Sequence, residues 1–551
     1  MPVTSRRDGP MNHGHGGELL VRLLSEAGVD TAFGVVSVHN LPLVEAVSQH
    51  LRFVPVRHEA AAVNAADGFS RASGGLGVAI TSTGTGAGNA AGALVEALTA
   101  GSRVLHVTGQ IDSEFLGSGR GVIHETRDQL GMLTAISKHA ATVTSVETAE
   151  ETLRAAVRHA LSVPSGPASV EWPIDLQYSR HEFRPGSLEP TPIPPPDAAA
   201  LAEAAELLAT ARRPVFWLGG GATGARDEVR ALAERLGAAV FTSNSGRGTV
   251  PENHELVVGN FAAHESAAQL LADADLLVSV GTHFRSNETK HYHLKLPERH
   301  LQIDVDAEAL GRVYPATVGV QGDAAAVLSG LSTVESGTEP GWRERVVETR
   351  KAVRDKLNEA IGPYAEICAA LRDGLPAESV IARDVTIPSS QWGNRLLDIH
   401  DPRTNVFPVG GGIGQGLATG IGAALATPDA PTVVMVGDGG LAVHLGELCT
   451  LAQERPWLAL VVFNDGGYGV LRNMQDHHRG QRAGVDLYTP DFARMAQSLD
   501  LPHALVSKPG QFADALAKAV AQQGPFVIEV DVTALPATPR PFVPPVPVPE
   551  S

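Results

Sequence analysis

The chain has 551 residues, of which 43% are hydrophobic and 19% charged, an ordinary balance for a folded protein that excludes disorder throughout. Asp and Glu outnumber Lys and Arg by 61 to 43, and the resulting net charge of −18 argues against nucleic acid as a partner. The 2 cysteines, Cys368 and Cys449, are too few for a disulfide framework or a cysteine zinc site. This usage favours a reducing cytoplasm.

The first residues do not resemble an export signal. Arg6 and Arg7 are followed by an acidic residue, a glycine and a proline, where a twin-arginine signal would need an apolar stretch. The most apolar runs, such as 458–463, are too short to cross a bilayer and are typical of strands buried on both faces of a parallel sheet. We therefore expect a cytoplasmic protein without a membrane partner.

From about Gly17 onward, helix-like and strand-like segments alternate along the chain. The predicted helices are 18–27, 60–72 and 88–100, and the predicted strands are 31–36, 77–81 and 103–108. This alternation is typical of a doubly wound α/β domain, which we place at 11–184. A Pro-rich stretch, 185–196, follows as a linker.

Two further α/β units follow the linker, at 195–335 and 360–535. The first of these has predicted strands at 214–218, 238–242, 274–280 and 300–303 and a helix at 226–236. A helical segment at 342–357 leads to the second, which has predicted strands at 432–436, 458–463 and 526–530 and a helix at 445–453. The predicted fold is therefore α/β, with three doubly wound parallel-sheet domains. A Pro-rich tail, 536–551, is expected to be an extended, loosely held arm.

Two acidic side chains follow two predicted strands of the third unit. Asp438 comes directly after one strand and Asp465 after the next, and glycines such as Gly437 and Gly439 let the backbone approach a bulky anion. Because parallel strands end at the same sheet edge, their oxygen atoms are suited to Mg²⁺ bridging to a diphosphate. Either motif alone would be typical of a turn, but turns do not explain the pair.

These motifs, Gly437-Asp438-Gly439 and Asn464-Asp465, resemble the thiamine diphosphate enzyme family, in particular its acetolactate synthase, benzoylformate decarboxylase and pyruvate decarboxylase group. The resemblance implies that the three domains are the pyrimidine-binding, central and diphosphate-binding domains. It also implies that Asp438, Asp465 and the carbonyl of Gly467 hold Mg²⁺. Since the family usually has Asn at the second position, Asn464 is the alternative ligand if the strand register differs by one residue.

The resemblance assigns a catalytic role to Glu59, at the start of an Ala-rich predicted helix. By itself, a Glu here is typical of a favourable charge in a first helical turn. In the family, the corresponding Glu shares a proton with N1′ of the cofactor's aminopyrimidine. This implies a C2 ylide, its addition to a 2-oxo acid, loss of CO₂ and an enamine that is either protonated or transferred to a second carbonyl.

The other site residues also come from the resemblance. Ile413 corresponds to the aliphatic residue that wedges between the two cofactor rings, with Leu417 as a weaker alternative, and the carbonyl of Gly411 is expected to accept from the 4′-amino group. The further expected cofactor contacts are Thr83, Gly84, Asn89, Gly437, Gly439, Gly440 and Tyr468. The further candidate catalytic side chains are Gln110, His124 and His39, although a lone histidine is as often structural.

Three motifs suggest other ligands. The run 219–224 satisfies a dinucleotide fingerprint, but the next predicted strand ends in Ser243 and Asn244, without an acidic ribose ligand. His291 and His293 are not part of a recognisable set of metal ligands in the sequence, so we expect a surface pair and not a metal site. The run 282–288 does not resemble the flavin-binding sequence of acetolactate synthases. FAD is therefore not expected.

The resemblance implies a thiamine diphosphate- and Mg²⁺-dependent decarboxylase or carboligase of a small 2-oxo acid, acting as a homodimer or homotetramer with active sites at the subunit interface. An acetolactate synthase proper is the alternative, which Gln110 favours and the missing flavin sequence disfavours. Pyruvate decarboxylases carry a Glu that the run 468–471 lacks. Less favoured are a relative that binds the cofactor without catalysis and an NAD(P)-dependent oxidoreductase.

Overall fold

The computed structural model describes residues 13–335, 337–478 and 480–545. They form three six-stranded sheets in which every strand pair is parallel. The predicted class of three α/β domains is thereby confirmed, while Arg6 and Arg7 lie outside the described residues. Among the described residues, no helix is both long and apolar enough to span a membrane.

The first sheet has the strand order β3-β2-β4-β5-β7-β6, and β1 pairs with β8 in a separate antiparallel ribbon. The strands are β1 (His13–His15), β2 (Thr31–Gly34), β3 (Arg52–Pro55), β4 (Gly77–Thr81), β5 (Val104–Gln110), β6 (His139–Thr142), β7 (Ala168–Pro173) and β8 (Arg180–Glu182). The helices are α1 (Gly16–Glu26), α2 (Leu41–His50), α3 (Glu59–Ser73), α4 (Thr85–Ala100), α5 (Gln129–Ile136), α6 (Val146–Leu161) and α7 (Ile174–Tyr178).

The second sheet has the order β11-β10-β9-β12-β13-β14. Its strands are β9 (Pro214–Leu218), β10 (Ala239–Thr242), β11 (Val257–Gly259), β12 (Leu276–Val280), β13 (His300–Asp304) and β14 (Val318–Gln321). The helices of this part of the chain are α8 (Ala198–Ala209), α9 (Arg226–Leu236), α10 (Glu265–Asp273) and α11 (Ala324–Gly330).

The third sheet has the order β16-β15-β17-β18-β20-β19. Its strands are β15 (Val380–Arg383), β16 (Asn405–Val406), β17 (Thr432–Gly437), β18 (Leu458–Asn464), β19 (His503–Val506) and β20 (Phe526–Asp531). The helices are α12 (Trp342–Ala360), α13 (Tyr364–Gly374), α14 (Gly416–Ala426), α15 (Asp438–Val443), α16 (Glu447–Glu454), α17 (Gly469–His478), α18 (Phe492–Ser498) and α19 (Phe512–Ala521).

The apolar runs of the sequence become the central strands of these sheets. Every residue of β4, β5, β9 and β12 is buried, because helices cover both faces of each sheet. A strand of this kind reads as a continuous apolar run and not as an alternating one. This is why the predicted bounds of β4 and β9 agree with the structure, whereas the more exposed strands β3 and β6 were not predicted.

The chain folds into two compact units that are not divided at a single position. The first unit comprises the chain up to Thr191 together with Ala418–Ala426 and His444–Glu454. The second comprises Pro192–Leu417, Thr427–Val443 and the chain from Arg455 onward. The helix α16 and most of α14 therefore belong to the first unit, although in the sequence they lie between strands of the third sheet.

The Pro-rich tail is irregular, as predicted, but its described part is not loosely held. The side chain of Asn473 donates a hydrogen bond to the carbonyl of Phe542 at 2.9 Å. A ring nitrogen of His291 lies 2.7 Å from the carbonyl of Pro545. The expected free arm is thus corrected: polar side chains of the second unit bind its backbone, and residues 546–551 lie outside the described residues.

Candidate active site

Asp438 and Asp465 are brought together in the second unit at one edge of the third sheet. The strands β17 and β18 pair in parallel, and the two aspartates follow them directly. The amide of Asp465 donates a hydrogen bond to Oδ1 of Asp438 at 3.2 Å. Oδ2 of Asp438 and Oδ1 of Asp465 are buried and have no hydrogen-bond partner among the described residues. The nearest cation to the latter oxygen is Nη1 of Arg472, at 3.6 Å.

Arg472 is the cation beside the two carboxylates, and it only partly offsets the effect of burial on the pKa of Asp465. Burial, followed by repulsion from the neighbouring Asp438, raises the pKa of Asp465 to about 6, although Arg472 acts in the opposite direction. Burial also raises the pKa of Asp438, which backbone hydrogen bonds from Asp465 and Gly467 partly offset. Two adjacent carboxylates, each with a buried oxygen that accepts no hydrogen bond from the described residues, are a donor set that fits a hard divalent cation such as Mg²⁺.

The third expected ligand, the carbonyl of Gly467, lies against the turn that carries Asp438. A Cβ at Gly439 would be 2.8 Å from this carbonyl oxygen and from the ring of Tyr468, so only a glycine fits there. Gly467 itself has φ +145°, a conformation that favours glycine. No group of three or more His, Cys, Asp or Glu side chains in the described ranges could hold a metal, so a cation here requires backbone or ligand oxygens.

Asn464, the alternative ligand, has a different partner. Its side-chain amide donates a hydrogen bond to Oε1 of Glu529 on β20 at 2.9 Å. Because successive side chains of a strand point to opposite faces, Asn464 and Asp465 diverge at the end of β18. This geometry favours Asp465 as the ligand, while the assignment stays a prediction.

The glycine loop with Ile413 is held by a residue that the sequence analysis missed, Asp384. The buried carboxylate of Asp384 accepts hydrogen bonds from the amides of Val385, Gly414 and Gly416 at 2.6, 2.9 and 3.0 Å. Ile413 is 40% exposed and thus accessible to a ligand, whereas the weaker alternative, Leu417, is 2% exposed.

Asp384 occupies a position in the sheet that is equivalent to that of Asp438. It follows β15, which pairs with β17, just as Asp438 follows β17. The backbone of Gly440 is close to the carboxylate of Asp384, since a Cβ at Gly440 would be 3.4 Å from Oδ2 of Asp384. The expected contacts Gly411 and Gly437 lie in the same part of the second unit, on the glycine loop and at the end of β17.

Glu59 lies in the first unit, as the first residue of α3. His58 caps this helix, because its Nδ1 accepts a hydrogen bond from the amide of Ala60 at 3.2 Å. The carboxylate of Glu59 accepts a hydrogen bond from the side chain of Asn89 on α4 at 3.0 Å. A Cβ at Gly86 would be 3.0 Å from the other carboxylate oxygen. Glu59, Asn89 and the run that begins at Thr83 are therefore neighbours, and their contacts with a cofactor stay predictions.

Gln110 and Thr83 belong to a buried hydrogen-bond network. The amide of Gln110 donates to Glu171 at 3.1 Å, and its oxygen accepts from the hydroxyl of Thr83 at 3.2 Å. Gln129, which the sequence analysis did not select, accepts from the amide of Gly84 at 2.7 Å and donates to Glu171 at 3.0 Å. The network fixes the glycine run, and the catalytic role of Gln110 stays a prediction.

His39 and His124 form a pair, although 84 residues lie between them in the sequence. Their ring centroids are 5.2 Å apart, and Nδ1 of each is buried without a hydrogen-bond partner among the described residues. Burial lowers the pKa of His39, and the neighbouring His124 lowers it further. His124 has φ +67°, and a Cβ at Gly84 would be 2.2 Å from its carbonyl oxygen. Only the tertiary fold brings these two rings together.

The glycine run 219–224 has a structural explanation. A Cβ at Gly219 would lie 2.0 Å from the carbonyl oxygen of Gly281, and a Cβ at Gly221 would lie 2.8 Å from the Cα of Gly281. The glycines therefore permit two loops of the second unit to touch through their backbones. The two histidines that were not expected to bind a metal have other partners. His291 contacts the carbonyl of Pro545 in the tail, and a ring nitrogen of His293 lies 3.1 Å from the carbonyl of Lys290.

Comparisons with known proteins show which families and proteins this chain is similar to. Residues 14–132 match the N-terminal TPP binding domain of thiamine pyrophosphate enzymes, residues 201–331 their central domain and residues 388–530 their C-terminal TPP binding domain. A probable 2-ketoarginine decarboxylase of Pseudomonas aeruginosa is 32% identical over 490 residues, 88% of each chain. A probable acetolactate synthase large subunit of Methanocaldococcus jannaschii is 29% identical, covering 96% of this chain and 93% of its own. The acetolactate synthase large subunit of Corynebacterium glutamicum is 28% identical, covering 92% and 84%.

Proposed function

The chain belongs to the thiamine pyrophosphate enzyme family and is a thiamine diphosphate-dependent enzyme that acts on 2-oxo acids. On this basis, we propose that it is a Mg²⁺-dependent decarboxylase or carboligase. The observation that carries the proposal is the contact between Asp438 and Asp465, each with a buried, unpartnered carboxylate oxygen. Acetolactate synthase proper is the alternative, because several relatives carry that name.

The residues of the second unit would hold the diphosphate end of the cofactor. Asp438, Asp465 and the carbonyl of Gly467 would bind Mg²⁺, and Gly437, Gly439 and Gly440 leave room for the diphosphate. When bound, the cofactor supplies a thiazolium ring that accepts the electron pair left by departing CO₂. The exposed side chain of Ile413 is available to support the ring system, and Asp384 keeps the loop beside it in place.

The residues of the first unit would handle protons. Glu59 would share a proton with N1′ of the aminopyrimidine, and Asn89 orients its carboxylate by the hydrogen bond described above. The unpartnered nitrogens of His39 and His124 suit them to give a proton to a product carbanion or to orient the substrate. Protonation would release an aldehyde, whereas attack on a second carbonyl would give a hydroxyketone.

We also propose that the enzyme is a homodimer or homotetramer with active sites at the subunit interface. The outer face of α4, which carries Asn89, supports this: Val95 and Leu98 are 46% and 38% exposed there, and Gly92 leaves open space. An apolar helix face next to a candidate catalytic Glu is suited to a second copy of the chain. Sedimentation equilibrium, combined with an activity measurement at the same protein concentration, tests the oligomeric state. A monomer that is active would contradict the proposal.

The decisive experiment measures CO₂ release and identifies products by NMR from a panel of 2-oxo acids. The panel begins with pyruvate and includes 2-ketoarginine, since the relative from Pseudomonas aeruginosa is named for that substrate. The protein is reconstituted with thiamine diphosphate and Mg²⁺. Glu59→Gln is the inactive variant, and Glu45→Gln, on the exposed side of α2, is the matched control.

Each product distinguishes one branch. An aldehyde that Glu59→Gln no longer forms identifies a decarboxylase, and a hydroxyketone identifies a carboligase. A 2-hydroxy-3-oxo acid made from two 2-oxo acids identifies the acetolactate synthase alternative. Retention of full activity by Glu59→Gln, or no turnover on any member of the panel with the cofactor bound, would contradict the proposal.

A further inference from the structure

Glu447 is a buried carboxylate that none of the roles above explains. It begins α16, which belongs to the first unit, and it is 1% exposed. One of its oxygens accepts a hydrogen bond from the backbone amide of Arg57 at 2.9 Å, and the other accepts from the hydroxyl of Thr450 at 2.6 Å. Burying a carboxylate is unfavourable unless its hydrogen bonds are satisfied, so this arrangement is a specific one.

The guanidinium group of Arg57 completes the cluster. Its Nη1 donates to the hydroxyl oxygen of Thr450 at 3.0 Å and to the carbonyl of Pro55 at 2.8 Å, and its Nη2 donates to Gln453 at 2.8 Å. Arg57, Thr450 and Glu447 thus form a continuous chain of hydrogen bonds between opposite charges. Such connected networks hold their members more rigidly than separate pairs do.

The cluster holds the backbone two residues before Glu59. Between them lies His58, the capping residue of α3, whose ring centroid is 5.1 Å from that of His444 in the segment preceding α16. Glu59 is therefore held from two sides, by Asn89 at its carboxylate and by the fixed start of its helix. A proton-sharing group must be held within a fraction of an ångström of its partner to act efficiently.

From this geometry we infer that Glu447 is a positioning residue for Glu59. Its two carboxylate oxygens bind the amide of Arg57 and the hydroxyl of Thr450, and it acts by holding Arg57, and hence the start of α3, in place. The inference rests on the proposed role of Glu59. A purely structural role, in which Glu447 only attaches α16 to the rest of the first unit, is the alternative that the test must separate.

The test uses hydrogen–deuterium exchange at C2 of thiamine diphosphate bound to the reconstituted full-length protein, measured by NMR after acid quench. This reaction reports on Glu59 and needs no substrate. We expect Glu447→Ala to slow the exchange by about 10- to 100-fold, the loss expected when a catalytic group is misplaced by about 1 Å. Glu447→Gln, which still offers an oxygen to the amide of Arg57, should stay within about threefold of wild type.

A matched control comes from the same helix. Glu454 on α16 pairs with Arg52 at 2.8 Å, and its connection to Arg57 is indirect, through the side chain of Gln453. Glu454→Ala should leave C2 exchange unchanged. Amide exchange of the apo protein, followed by mass spectrometry, should rise in peptides covering 56–62 for Glu447→Ala but not for Glu454→Ala.

The outcomes are distinct. If wild-type protein does not accelerate C2 exchange, the proposed function itself fails. If wild type does so and Glu447→Ala matches it, or if Glu454→Ala is equally slow, the positioning role is wrong. Should Glu447→Ala not fold, Thr450→Val, which removes only the bridging hydroxyl, replaces it: a slowed exchange supports the inference and an unchanged one overturns it.

Discussion

The amide of Asp465 donates a hydrogen bond to the carboxylate of Asp438 over 3.2 Å, while the side chain of its neighbour Asn464 binds Glu529. The end of β18 therefore directs two adjacent polar residues to different partners. Of these two neighbours, only Asp465 has, like Asp438, a buried side-chain oxygen without a hydrogen-bond partner among the described residues. Two carboxylates this close repel each other in the absence of a cation, which makes the pair a better cation site than either residue alone.

We expect Asp465→Ala to weaken Mg²⁺-dependent binding of thiamine diphosphate by at least about tenfold, because one direct ligand is lost. Asp465→Asn keeps an amide oxygen in the same position and should retain most of the affinity. Asn464→Ala is the matched control and should change it by less than about threefold. Titration calorimetry at several Mg²⁺ concentrations measures all three. A larger loss for Asn464→Ala than for Asp465→Ala would reassign the ligand.

The second prediction concerns Asp384, whose carboxylate accepts three backbone amides around the glycine loop. Asp384→Asn replaces one acceptor oxygen by a donor that faces those amides, which should cost about 1–3 kcal/mol locally. We expect a loss of cofactor affinity of about tenfold with little change in Mg²⁺ dependence. The surface variant Asp373→Asn, which disturbs only an exposed ion pair with Arg372, is the control. Equal cofactor binding in both variants would show that the loop does not depend on Asp384.

The sequence was sufficient to predict the aspartates after β17 and β18 because these strands are long, apolar and buried on both faces. The same reasoning missed Asp384, since β15 has only four residues and ends in Arg383, so it does not read as an apolar run. The pairing of His39 with His124 could not be predicted at all. It depends on how the loop after β5 returns to His39 and Gly84, which follow β2 and β4, and no local pattern encodes that path.

Gln110 illustrates a different limit. It is the last residue of β5, two residues beyond the end of the predicted strand 103–108, and its side chain binds Glu171 and Thr83. A buried polar side chain takes whichever partners the fold presents. Those partners here come from β7 and from the glycine run, which are distant in sequence. The proposed role of Glu447 could not be predicted for the same reason. Its helix α16 is far from Arg57 in the sequence, and only the fold brings the two together in the first unit.

The third prediction concerns the histidine pair. If His39 and His124 give a proton to the product carbanion, His39→Gln or His124→Gln should slow aldehyde release by about 10²-fold or more, the usual contribution of general acid–base catalysis. The release of CO₂ in the first turnover should be affected much less. Rapid-quench measurement of both products tests this. The stacked pair His139 and His159, with ring centroids 4.1 Å apart, offers His139→Gln as a matched control. Parallel loss of CO₂ and aldehyde would place the pair in an earlier step.

The last prediction concerns His106, which lies buried in β5 between the hydroxyl groups of Thr81 at 2.8 Å and Ser169 at 3.1 Å. Burial lowers the pKa of His106 to about 4, from about 6.5 for an exposed histidine. Between these values the unfolded chain binds a proton that the folded protein does not, so the free energy of unfolding must decrease as the pH falls below about 6.5.

Between pH 7.5 and pH 5, this residue alone should lower the free energy of unfolding by about 2 kcal/mol. His106→Gln keeps a hydrogen-bonding side chain that does not titrate, so it should remove that part of the pH dependence even if it lowers stability at pH 7.5. Urea unfolding of the apo protein at both pH values measures the difference. His50→Gln, an exposed position at the end of α2, is the control. An unchanged difference between the two pH values in His106→Gln would mean that His106 is protonated in the folded protein or that the first unit opens around it.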